Sequence, residues 1–284
     1  MNTLTASASA EFLRLRKWPS LWVLLGAWLL LNLTFVYLFD YLTYRGDDGT
    51  GAVGSIPRDA LMARMLPAAV PEVLTQGMAL FGGAIMLTVG ALAAGSGYGW
   101  GTWKTVFTQG PGRTAAIGGT VVSLAAVVTG SVLAVFVLDL GVSSLIAAVE
   151  SQPTAMPGVG DSLRAICAGV LILGMWTAAG VLVGVVARGP ALAVGLGLVW
   201  VLVVENLLRG VSVLFDPIRV VTDHLPGTAA GSLAGALRGG APGGEQTPGV
   251  LTVLDPTTAT VSLAVYLVLF VAATALLLRR RDVG

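Results

Sequence analysis

The chain has 284 residues, 55% of them hydrophobic and 11% charged, with a net charge of +1. A soluble domain carries about 25% charged residues, so most of this surface does not face water, and the composition is that of an integral membrane protein. The near-zero net charge leaves no electrostatic footprint for nucleic acid, and one cysteine with one histidine cannot build a Cys/His metal cluster of the usual spacing.

Taken in chain order, the first element is basic: "SASAEFLRLRKWPSLW". Leu4, Ala8, Phe12 and Leu15 recur at helical spacing, while Arg14, Arg16 and Lys17 lie mostly off that stripe. This predicts an amphipathic helix along the membrane surface within residues 1–19, ended by Pro19. A membrane helix needs about 20 mostly apolar residues. Six runs qualify: 21–39, 73–94, 115–138, 163–187, 191–208 and 258–278. The first is followed by "FDYLTYRGDD" and by no small-residue cleavage site, so it reads as a retained anchor. Runs four and five are separated only by Arg188-Gly189-Pro190, a tight polar turn.

Charge sets the orientation. With the N-terminus inside, Arg14, Arg16, Lys17, Lys104, Arg113, Arg188, Arg279, Arg280 and Arg281 all crowd the inner ends of the helices. Both termini are then expected in the cytoplasm. The outer connections are long, and 209–257 is rich in Gly and Pro. Its middle, "HLPGTAAGSLAGAL", is nonetheless apolar and helix-compatible, which predicts a helical hairpin on or dipping into the outer leaflet.

Several stretches imitate catalytic motifs and fail on spacing. In "GSGYGWGTWKT", Lys104-Thr105 follows glycines, but Trp103 fills the place before the lysine where a phosphate loop needs glycine. A dinucleotide fingerprint fails because its third glycine would be Trp100. "GDSL" at 160–163 has no correctly spaced His-carboxylate partner for Ser162; Asp161 or Ser162 as a helix N-cap explains it more simply. No catalytic residue, metal site or ATPase motif is therefore expected in this chain. Cys167 reads as a small buried hydrophobe. Glu205 lies near the end of the fifth run, where a carboxylate is either a functional group or one satisfied by Arg209 four residues on. Asn32 and Thr34 are placed to bond a neighbouring helix or line a cavity.

Four stretches together resemble the permease subunits of ABC-2-type transporters, which have the ABCG-like exporter fold. They are "EFLRLRKWPSLWVL", "GYGWGTWKTVFTQGPGR", "LPGTAAGSLAGAL" and the terminal "LLLRRRDV". In the second, Tyr98, Gly101 and Thr102 match that family's inner-loop pattern Glu-Tyr-x-x-Gly-Thr, whereas its glutamate is Gly97 here. The resemblance implies one all-α membrane domain over 1–284 with six spans and a cytoplasmic coupling helix in 95–114. It implies a separate ATPase subunit, two copies per complex, that binds ATP and Mg and docks on Tyr98, Trp100, Gly101, Thr102, Trp103, Lys104 and Thr105. It also implies a second permease copy or paralogue, contact with membrane lipid, a bacterial plasma membrane, and outward movement of an amphipathic drug, antibiotic, peptide or lipid. Asn32, Thr34, Tyr37, Met78, Phe81 and Asn206 are the candidates for the cargo path. A dedicated self-immunity exporter is the closest alternative. An ion-coupled secondary transporter is the rival class, and it is disfavoured because no ionisable residue falls near the centre of any run as bounded above.

Overall fold

The computed structural model describes residues 3–46, 57–99, 112–212, 214–238 and 249–280. Among the described residues the regular structure is helical throughout. Six helices are long and apolar enough to cross a membrane: Pro19–Arg45, Met78–Tyr98, Ala115–Val149, Val159–Ala187, Pro190–Ser212 and Pro256–Arg280. They coincide with the six expected runs, and the multi-pass architecture is clear.

The boundaries differ in two places that matter. The third span does not stop at residue 138: its helix runs on to Val149, and its 35 residues span about 52 Å at 1.5 Å each. Asp139 is therefore inside the helix rather than the first residue of a loop. The fourth span starts at Val159, after an uncapped Gly158, so neither Asp161 nor Ser162 is its N-cap. Asp161 sits instead in the first turn, and the Ser162 hydroxyl donates to the Gly158 carbonyl at 2.9 Å. The Arg188–Pro190 turn is as expected. Arg188 closes the fourth span in the left-handed region with φ 53°, and Pro190 opens the fifth with its preset φ.

Spans two and four form the buried centre, and spans one, five and six are mostly exposed. Small residues bring the central pair into backbone contact. A Cβ added at Gly180 would stand 2.0 Å from the Leu87 carbonyl oxygen, and one at Gly90 would stand 2.2 Å from that of Thr177. Such close approach is how helices gain dispersion contact where lipid offers no hydrophobic driving force. Trp176 fills the space over Gly83, and Trp28 of span one fills that over Gly82. Cys167, expected in the core, is exposed on the fourth span; Ala165 and Ala168 take the inward positions on either side of it.

The N-terminal helix, Thr3–Arg16, is present but turned differently from its apolar stripe. It packs lengthwise on the start of the third span. There Gly118 and Gly119 leave room for Leu4 and Ser7, and the Ser123 hydroxyl donates to the Ala8 carbonyl at 2.9 Å. Leu15 is buried, whereas Phe12 and Leu13 are exposed. Arg14 points inward: it pairs with Glu11 at 2.5 Å and donates to the Ala93 carbonyl of span two at 3.1 Å. The polar contact surface of spans two and three captures this arginine, and no helical-spacing argument shows that surface. Burial pushes the Glu11 carboxyl above its ordinary pKa, against the pull of Arg14.

At the far ends of the spans, opposite the N-terminal helix, a short helix Arg58–Met65 covers the upper parts of spans one and three. Glu150 follows the third span and meets the end of the first. It accepts hydrogen bonds from the Tyr41 hydroxyl at 2.9 Å and the Arg45 Nε at 3.0 Å. The Tyr41 bond, with Arg45, holds its carboxyl below the ordinary value. Between spans five and six lie two helices, Asp216–Asp223 and Pro226–Leu237. The second is buried along most of its length, packed among spans two, four and six. Its packing ends on Gly249, whose φ of +87° and contact with Leu80 leave no space for a side chain.

Candidate functional site

Buried polar groups in a membrane helix are the natural place to look for function, because their burial is expensive. Two buried carboxylates lie within spans: Asp139 is 0% exposed and Glu205 is 1% exposed. They stand at similar heights. Thirteen residues separate Pro19 from Asn32, the partner of Asp139, and fifteen separate Pro190 from Glu205, so each site lies roughly 20 Å along its span at 1.5 Å per residue.

The Asp139 site joins spans one and three. Asn32 Nδ2 donates to Asp139 Oδ1 at 2.8 Å, and the Tyr37 hydroxyl lies 3.4 Å from the Asp139 backbone carbonyl. Oδ2 has no hydrogen-bond partner among the described residues. Asn32 Oδ1 looks toward Gly77 at the foot of span two, where an added Cβ would be 3.3 Å away. Immediately after Asn32 the first span widens to a π-helix over Leu33–Leu38. That register shift puts Asn32 and Tyr37, five residues apart, on the same inward face. A regular α-helix would turn Tyr37 well away from it.

The Glu205 site is built differently. A second π segment, Val199–Val204, delivers Glu205 into the bundle. Trp200 Nε1 donates to its Oε1 at 3.0 Å, and Arg209 Nη2 stands 3.8 Å from its Oε2, the i,i+4 partner expected from the sequence. Gly227, in the first turn of the buried helix Pro226–Leu237, packs directly on the carboxylate; a Cβ there would overlap Oε2 at 1.8 Å. The positive end of that helix thus faces the charge. A third π segment, Met78–Gly82, opens span two beside the same hairpin. All three π segments therefore adjoin the buried polar groups, a placement often found at functional sites.

Comparison with protein-family models and with curated proteins finds no match.

Of the residues expected to couple to an ATPase, Tyr98 is half-buried at the end of span two and packs against the core. Trp100, Gly101, Thr102, Trp103, Lys104 and Thr105 lie outside the described residues. The cargo-path candidates take up different surroundings among the described residues. Asn32, Tyr37 and Met78 are buried, and Asn32 and Tyr37 are engaged with Asp139. Thr34 donates to its own helix at the Leu30 carbonyl, 2.8 Å away. Phe81 stacks on Phe35 with centroids 5.4 Å apart. Asn206 is exposed and bonds back to Leu202 at 3.0 Å. An apolar cavity of about 500 Å³ lies elsewhere, between the N-terminal helix, span one and span three; Phe12, Leu15, Trp22, Leu25, Trp28 and Ala126 line it.

Asp139 is the candidate residue that sequence reasoning missed. Taking the first charge as the end of the run put it in a loop. The signal lay beyond it: "LGVSSLIAAV" after Asp139 is as apolar as the run before it. The premise that no ionisable residue lies well inside a span is thereby overturned.

Proposed function

We propose that this chain is the membrane-spanning permease subunit of an ATP-driven exporter in a bacterial plasma membrane, with both termini cytoplasmic. It has no ATPase machinery of its own. Two copies of a separate ATPase subunit bind ATP and Mg and press on the connection between spans two and three, and a second permease copy or paralogue completes the pathway. The cargo is amphipathic. One observation carries this reading: the N-terminal helix bridges the helix that enters that connection and the one that leaves it, through Arg14 to Ala93 and Ala8 to Ser123. The turn between spans four and five also rests on Gly95. A push on the connection thus reaches spans one, three, four and five together. Trp100 and Trp103 supply the aromatic anchors that dominate docking surfaces, and Lys104 adds electrostatic register.

The test is capture of an ABC-type ATPase subunit co-expressed with this chain. Trp103→Ala combined with Lys104→Glu abolishes co-purification and ATP-dependent export while the permease keeps its thermal stability. Unchanged capture contradicts the docking assignment. A second reading, ion-coupled secondary transport, is favoured by Asp139 inside the third span. It predicts uptake or efflux by purified protein under an ion gradient, with no second subunit present.

A further inference from the structure

We propose that Asp139 is a proton-binding site within the membrane-spanning bundle, with the proton on Oδ2 and Oδ1 serving as the carbonyl oxygen that accepts from Asn32. The inference stands on the site's geometry and does not rest on the ATPase reading.

Three features point to a proton rather than another ligand. First, the carboxyl is completely buried, and among the described residues the only side-chain group bonded to it is a neutral amide at 2.8 Å. A charge in that setting carries the full cost of lost hydration, while a neutral acid does not. Second, no ion pair joins the carboxyl to a cation among the described residues, and the buried Arg238 stands in the field of Arg64, Asp40 and Glu72. Span one brings Tyr37, which reaches the Asp139 backbone only, and Asp40, which faces Arg64 of the helix Arg58–Met65 at 3.8 Å. That helix also carries Arg58, bonded to the Gly46 carbonyl at 2.5 Å, and Asp59. The segment before span two brings Glu72. On its own helix the nearest is Glu150, held by Tyr41 and Arg45. The fourth span brings only Asp161 and Arg164, which face each other at 3.9 Å. Span six brings Tyr266, which donates to the His224 carbonyl, and Arg279 and Arg280 at its last turn. None of these cations lies within 4.0 Å of Asp139. Third, among the described residues no three of His, Cys, Asp and Glu gather as metal ligands, and Asn32 presents its N–H to the carboxyl, a donor where a metal would need an oxygen.

The step balances simply. The carboxylate Oδ2 takes a proton from water, one O–H bond forms, and the negative charge is removed. Water reaches Oδ2 only when span one parts from span three, so uptake and release are tied to that opening. The π segment after Asn32 is the weak place in span one where such parting is least costly. The Asn32 amide, fixed to the Asp139 carboxyl, is the group on span one that senses its state.

Infrared difference spectroscopy of the full chain in lipid, titrated from mildly acid to mildly alkaline pH, tests this. The expected result is a C=O stretch of a buried protonated carboxyl. Asp139→Asn abolishes it, Glu205→Gln leaves it, and Asn32→Leu moves it to higher frequency because the carbonyl loses its hydrogen bond. If Asp139→Asn fails to fold, Asp139→Glu replaces it and shifts the band without removing it. Absence of the band in the native protein at every pH overturns the proposal, as does its survival in Asp139→Asn or an unchanged frequency in Asn32→Leu. No nucleotide or partner subunit enters the measurement, so its failure is distinguishable from failure of the ATPase docking test.

Discussion

Asp139 and Glu205 are the same chemistry treated in two ways. Both are carboxylates sunk into membrane helices at about the same height, and each adjoins a π segment. Glu205 is met by an indole N–H, a guanidinium and the start of a helix. Asp139 is met by one amide, with its second oxygen unmatched among the described residues. A buried charge is tolerable when opposite charge and donors surround it, and only Glu205 has them. Glu205 therefore works as a fastener, pinning the helix Pro226–Leu237 to span five, and Asp139 works as a site whose charge can change.

The contrast breaks hardest at Arg209. Arg209→Met leaves Glu205 buried without its counter-charge and costs about 3–5 kcal/mol in reversible unfolding from mixed micelles; a loss under about 1 kcal/mol would put Glu205 in the same class as Asp139. Gly227→Val drives a side chain into the Glu205 carboxylate and costs about 1–3 kcal/mol, with the helix Pro226–Leu237 becoming accessible to cysteine labelling. Asn32→Leu removes one hydrogen bond to a neutral acid and costs about 1 kcal/mol, well below the Arg209 variant by the same assay. The smallest effect belongs to Glu150→Gln, whose partner Arg45 is solvent-exposed. Its native carboxyl is held low in the fold, so its contribution is present above the ordinary carboxylate range and is lost as pH falls through the folded-state value. The native and variant melting curves should therefore differ slightly at neutral pH, more at low salt, and converge in acid.

How much of this was readable from the chain depends on the kind of signal. The six apolar runs, the Arg188–Pro190 turn and the Glu205–Arg209 spacing are local, and the structure places each as expected. The helical character of 224–237 was legible from its small apolar residues, though its burial among three spans was not. What failed were judgements that depend on tertiary neighbours. Arg14 faces inward because the Ala93 carbonyl and Glu11 wait for it. Cys167 faces outward because Ala165 and Ala168 occupy the inner positions. Asp139 lies inside its span because Asn32, more than a hundred residues earlier, provides the donor that lets the helix carry it. Neither the partner nor the π segment that aims Tyr37 at the same place is written in a hydrophobic pattern.

The central claim is that the two carboxylates differ in charge. Double-mutant cycles on the reconstituted protein at neutral pH address it directly, pairing Asn32→Leu with Asp139→Leu and Arg209→Met with Glu205→Leu. The account predicts an Asn32–Asp139 coupling no larger than a neutral hydrogen bond, about 1 kcal/mol, and a Glu205–Arg209 coupling toward the upper end of the ~0.5–3 kcal/mol range for contacting residues. Equal couplings, or a larger one for Asn32–Asp139, would contradict it.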